Sequence, residues 1–219
     1  MIMTVCTYGG HLDLIFVIDG SGSIGSSNFV ISKNFVTTVV GNFELGENQT
    51  RVGLIQFSSS ARIEFNLDTH VESDEITAAI GNVGYMSGGT DIAAGLSKVS
   101  QLSGNREDVP DAIVVLTDGV SQTDPGPIAA SLAAQGARVF AIGIGDNVDA
   151  SQLSAIASSP GNVFQSTDFV GLNDQLSQAV SDTICELTTT PEDGGTVDAS
   201  AKVIGGNSHS TLDVQPYIW

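Results

Sequence analysis

Leu14-Ile15-Phe16-Val17-Ile18-Asp19-Gly20-Ser21-Gly22-Ser23 is the stretch on which the fold turns. Five apolar residues run without a polar break, then give way to an acid and a Gly/Ser turn. A short unbroken apolar run is the mark of a strand buried on both faces. Strands of that kind belong to parallel sheets covered by helices on each side. The pattern returns at Ala112-Ile113-Val114-Val115-Leu116, which ends in Thr117-Asp118-Gly119, and at Val139-Phe140-Ala141-Ile142-Gly143-Ile144.

Between these runs the chain alternates strand, loop and helix. Ser26 reads as the N-cap of a helix to about Phe43, with Phe29, Val36, Val40 and Phe43 on one face. Val52 to Phe57 reads as a strand. In Arg62-Ile63-Glu64-Phe65-Asn66-Leu67 polar and apolar residues alternate, as expected of an antiparallel edge strand with one wet face. Helices are expected over Ser73–Val83 and Asp91–Leu102. Another is expected from Asp124 as N-cap and Pro125 at the first helical position to about Gln135. Val163-Phe164 is a short strand, and Leu172 to Ile184 the last helix. The expectation is an α/β fold: a doubly wound, mostly parallel six-stranded sheet with one antiparallel edge strand and helices on both faces.

Three segments carry the chemistry: Asp19-Gly-Ser21-Gly-Ser23, Gly88-Gly89-Thr90 and Thr117-Asp118-Gly119. Two carboxylates, two serine hydroxyls and a threonine hydroxyl form a hard, all-oxygen ligand set, suited to Mg²⁺ or Mn²⁺ rather than zinc or copper. Asp19 and Asp118 both fall at strand carboxyl ends, where open α/β sheets bind their ligands. Asp91, beside Thr90, reads as an acid at a helix N-terminus.

Taken together, these motifs resemble the metal-ion-dependent adhesion site of von Willebrand factor type A domains. The Asp-x-Ser-x-Ser pattern stands as Asp19, Ser21 and Ser23, the isolated threonine as Thr90 and the later aspartate as Asp118. The resemblance runs from about Leu12 to Cys185. It is nearest to A domains of extracellular-matrix proteins of the matrilin and fibril-associated collagen type. It implies a domain over 12–186, a lead-in over 1–11, and a linker and tail over 187–219. It also implies that Cys6 and Cys185, at chain ends that lie together in this family, form a disulfide. The implied function is binding an extracellular protein partner, collagen among the candidates, whose Asp or Glu completes the metal's coordination. The loop Gly145–Asp149 is too short for the extra helix of collagen-binding integrin domains, so the likeness does not extend to their mode of collagen binding.

Composition narrows the alternatives. The chain has 219 residues, 41% of them apolar, with 25 acids against 7 bases and a formal charge of −18. That surface repels nucleic acid and anionic lipid, so neither is an expected partner. No apolar run approaches the roughly 18 residues of a membrane span. Met1–Val5 has no basic leader, so a secreted protein would here be in mature form. Asn48-Gln49-Thr50 is an N-glycosylation sequon that fits secretion. Enzyme readings fare poorly. Gly20–Gly25 lacks the Gly-Lys-Ser/Thr of a phosphate loop, and Gly-x-Ser-x-Gly is absent. His11, His70 and His209 stand outside all three motif segments. Two other readings remain: a structural matrix-assembly module with a non-essential metal site, and an intracellular accessory A domain of a metal chelatase.

Overall fold

The computed structural model describes residues 11–188. Cys6, His209 and almost all of the expected lead-in and tail lie outside the described residues. Six strands form one sheet: β1 (Leu12–Asp19), β2 (Thr50–Phe57), β3 (Ala61–Phe65), β4 (Asp111–Thr117), β5 (Arg138–Ile144) and β6 (Val163–Ser166). Their order is β3-β2-β1-β4-β5-β6, with every pairing parallel except the β2–β3 hairpin. The helices are α1 (Gly25–Val40), α2 (Ser73–Asn82), α3 (Ile92–Leu96), α4 (Gly126–Ala134), α5 (Ala150–Ile156) and α6 (Asp174–Cys185).

All eight residues of β1 are buried, which accounts for its unbroken apolar run. Period-two alternation divides them between two cores. Leu12, Leu14, Phe16 and Ile18 face a core shared with α1, α2 and α6. Ile15 and Val17 face one shared with α3, α4 and α5. The strand order reverses between β1 and β4, and at such a switch point the loops at the strands' carboxyl ends part to leave a crevice.

Several expected boundaries shift. Ser26 does not cap α1: Ile24 holds the N-cap position with no side-chain cap bond, and Gly25 enters the helix at φ +71°. Burial of Ile24 sets the entry instead. α1 stops at Val40, though Phe43 still reaches the same core as Phe29, Val36 and Val40. The helix expected over Asp91–Leu102 divides into α3 and a 3-10 turn at Val99–Gln101. Here Ser97 Oγ donates to the Ala94 carbonyl, a side-chain bond that competes with the helical ladder. Pro125 stands at the N-cap of α4, and Asp124 instead accepts from Gly126 N in a local turn. α5 was not expected. Its markers are Asp149, which caps it, and the buried pair Leu153 and Ile156.

Candidate metal centre

At the crevice, β1 ends in Asp19 and β4 leads into Asp118. Asp19 is 1% exposed and both its carboxylate oxygens are held. Oδ1 accepts from Ser21 N at 2.8 Å, and Oδ2 accepts from Thr117 Oγ1 at 2.7 Å. The hydroxyls of Ser21 and Ser23 are 3.0 Å apart, and Ser23 Oγ donates to Asp118 Oδ1 at 2.7 Å. Four of the five expected site residues thus form one connected set. Thr90 is bonded to none of them, yet it joins the same cup. Where a Cβ on Gly119 would stand, Thr90 Oγ1 is 3.6 Å away and Ser23 Oγ 4.0 Å away. Asp19 and Ser21 form the buried floor, while Ser23 opens to solvent.

The Thr90 loop is fixed by neighbours that sequence reasoning did not single out. Gly22 N donates to Gly88 O at 2.8 Å, and Asp91 N to Ser58 O at 2.8 Å. Gly89 N donates to Ser59 Oγ at 2.7 Å, Gln122 N to Thr90 O at 2.8 Å, and Ile92 N to Ser121 Oγ at 2.9 Å. Gly88 sits at φ +112°, a backbone conformation that side-chain-bearing residues rarely adopt, so this close meeting of loops needs glycine there. Tyr85 adds a further tie, donating through its hydroxyl to Ser21 O at 2.7 Å while its ring packs on Phe29. A run of serines and a tyrosine beside Gly-Gly-Thr was the only available sign. Asp91 accepts from Ala94 N as the cap of α3, in keeping with its expected helix-terminal role.

Burial pushes the Asp19 carboxyl up to about 6, against the lowering effect of the Thr117 and Ser21 hydrogen bonds, and Asp118 nearby adds to the rise. Burial also raises Asp118, opposed by its bond from Ser23. Among the described residues no lysine, arginine or histidine pairs with either acid. Two desolvated carboxylates without a cation, ringed by neutral hydroxyls, make a donor set that fits a hard dication. Each Asp19 oxygen has one protein donor and keeps acceptor capacity for a metal or a metal-bound water.

Away from this cup, Asn48 lies exposed in the turn before β2. Cys185 ends α6, and among the described residues no cysteine is free.

Comparison with known proteins bears on this geometry. The family model described as von Willebrand factor type A domain matches residues 13–178. Matrilin-1 of Gallus gallus is 38% identical over 193 residues, covering 81% of this chain and 38% of that protein. Matrilin-2 of Mus musculus is 32% identical over 221 residues, covering 96% of this chain and 23% of its own. The collagen alpha-1(XII) chain of Notophthalmus viridescens is 32% identical over 164 residues, covering 73% and 18%. The chain therefore spans well under half the length of these relatives. Among solved structures, proximal thread matrix protein 1 from the mussel byssus, with a zinc-occupied MIDAS motif, superposes with a TM-score of 0.77. It is 30% identical, and the match covers 83% of this chain and 47% of that one.

Proposed function

The chain belongs to the von Willebrand factor type A family, and we propose that it is a non-catalytic adhesion module of the extracellular matrix. Its cup of Asp19, Ser21, Ser23, Thr90 and Asp118 would hold a divalent ion, Mg²⁺ or Mn²⁺, to which a partner's Asp or Glu carboxylate binds. The observation that carries this reading is the buried Asp19 and Asp118 pair, which among the described residues has no cation beside it and is ringed by the hydroxyls of Ser21, Ser23 and Thr117. A bound dication supplies positive charge and an open coordination position. The protein's part is to orient the oxygens. Thr117 and the Ser21 amide hold Asp19, Ser23 holds Asp118, and the Gly88–Gly89 crossing presents Thr90.

Titration calorimetry with Mg²⁺, Mn²⁺ and Zn²⁺ tests the site. One ion per chain is expected, lost in Asp19→Ala and weakened about tenfold or more in Thr90→Ala. Unchanged binding in Asp19→Ala rules out the assignment. Zinc is included because the mussel relative carries it.

A second reading, a matrix-assembly module whose metal site is non-essential, draws its support from the matrix relatives, two matrilins and a collagen chain. Capture of partners from extracellular-matrix extract, with Mg²⁺ or with chelator, separates the two readings. Chelator-sensitive capture supports the first, and indifferent capture the second. Extracellular placement rests on the matrix relatives, on the Cys6–Cys185 bridge we propose, and on the glycosylation sequon at the exposed Asn48.

A further inference from the structure

The cup lies in a face of one charge sign. The segments at the carboxyl ends of the parallel strands, with the loop that carries Thr90, are residues 19–24, 58–60, 83–91, 118–125, 145–149 and 167–173. Besides Asp19 and Asp118 they hold Asp91, Asp124, Asp146, Asp149 and Asp168, and none of the chain's seven lysines and arginines. The cations that come nearest are engaged. Arg62 pairs with Glu64 and donates to Gly84 O, and Lys33 donates to Gly81 O and Val83 O. Arg51 and Arg138 stand at the opposite ends of their strands, and Arg106 pairs with Asp13 at the start of β1.

No three of the described His, Cys, Asp or Glu side chains gather closely enough to share an ion. The five outer aspartates therefore act as a spread field and not as a second metal site. Apolar surface accompanies them. Of the exposed large hydrophobic residues among the described ones, Val120 (47%) and Val170 (81%) lie in these loops.

Asp19 and Asp118 neutralise a dication between them. A partner's carboxylate then adds one net negative charge, and it must approach through the field of five aspartates. An acidic or neutral segment meets that field unaided, whereas flanking cations turn repulsion into attraction. We propose that this face recognises a cationic protein segment: a carboxylate bracketed by lysine or arginine, with an apolar residue beside it to cover Val120 or Val170. The proposal rests on the metal reading above and narrows the partner class for that site.

Three synthetic peptides of about a dozen residues test it against the full chain saturated with Mn²⁺. The first has one Glu and one Leu among Lys/Arg. The second has the same Glu and Leu among Ser/Gly. The third is the first with Gln in place of Glu. At about 50 mM salt the first should bind about tenfold tighter than the second. That advantage should shrink to about twofold near 1 M, where the screening length is about 3 Å. Chelator, or the Gln peptide, should cost at least tenfold. A chain with Asp124→Asn, Asp146→Asn, Asp149→Asn and Asp168→Asn should lose most of the preference while keeping one-site Mn²⁺ binding within about threefold. Asparagine retains the acceptor that Asp149 offers Ser151 N and Asp168 offers Gly171 N.

Equal affinity for the first two peptides overturns the proposal. So does binding that tolerates chelator or Gln, since the attraction then belongs to the acidic surface at large, and so does no binding of the first peptide up to millimolar concentration. Failure of the metal reading shows separately, as absent Mn²⁺ binding by the unaltered chain before any peptide is added, and it removes this proposal with it.

Discussion

Asp13 and Asp19 stand on the same face of β1, at opposite ends of the strand, and are 0% and 1% exposed. Among the described residues, only Asp13 has a cation beside it. Arg106 Nη2 and Nε reach Asp13 Oδ1 at 2.5 and 2.9 Å, and Arg106 N donates to Oδ2 at 2.9 Å. Among the described residues, Asp19 meets hydroxyls, an amide and a second acid. One strand thus carries a structural carboxylate at one end and, at the other, a carboxylate whose cation must come from outside.

Asp19 should destabilise the metal-free chain at neutral pH. Its carboxyl is raised from 3.8 to about 6 in the folded state. Below about pH 3.8 it is protonated in both states, and nothing is lost. As pH rises from there to 6, the unfolded state gives up its proton first and folding stability falls. Above 6 the loss is complete, on the order of 3 kcal/mol. Asp118, also raised, works in the same direction. In chelator, Asp19→Asn should flatten this part of the pH profile and raise the Tm at pH 7 by several degrees. Mg²⁺ should then give that variant no further rise. Thermal melts at pH 4.5, 6 and 7.5, with and without Mg²⁺, check both points.

Arg106→Ala should be costly without touching the cup. It leaves the Asp13 carboxylate buried and unpaired, and it removes donors to Leu12 O and Gln49 O. Breaking such a pair costs about 3–5 kcal/mol, or roughly 10 °C in Tm for a domain of this size. Calorimetric Mn²⁺ affinity at low temperature should stay within about twofold of the unaltered chain.

Tyr85→Phe separates positioning from packing. The ring stays on Phe29, and only the hydroxyl bond to Ser21 O is lost. Stability should fall by about 1 kcal/mol. If that bond sets the Ser21 hydroxyl for metal, Mn²⁺ affinity should drop about threefold to tenfold. A lower Tm with unchanged affinity would make the bond structural only.

For the proposed Cys6–Cys185 bridge, intact mass should shift by two alkyl groups only after reduction. The closed loop is long enough for a stabilisation on the order of 5 kcal/mol in the chain-entropy model. Replacing both cysteines with serine should lower the Tm while leaving Mn²⁺ binding in place, since α6 ends at Cys185, away from the cup. Two thiols that alkylate in the native, unreduced chain exclude the bridge.

Much of this protein could be read from short-range pattern. The apolar runs at Leu14–Ile18, Ala112–Leu116 and Val139–Ile144 determine three central strands, because a residue flanked by apolar neighbours on both pleat faces has only an interior to occupy. The strict alternation from Arg62 onward determines an antiparallel edge. The spacing of Asp19, Ser21 and Ser23 already holds their local geometry, since the Ser21 amide bonds the Asp19 carboxylate two residues back. Tertiary structure decided what depends on residues far apart in the chain. Thr90 carries no local mark of its role. It reaches the cup because Gly22, Ser58, Ser59, Ser121 and Gln122, from three other loops, tie its own loop down. The break after α3 is likewise unmarked in the periodicity: there Lys98 N turns to Gly95 O, three residues back, while Ser97 Oγ takes the Ala94 carbonyl. Nor does the sequence show what neutralises each acid of β1: Ser21 and Ser23 mark Asp19 as a ligand candidate, but nothing near Asp13 points to its partner. Their difference arises because folding brings Arg106 to one and leaves the other with hydroxyls, and the neutralisation of a buried charge is settled by whichever groups the fold places beside it.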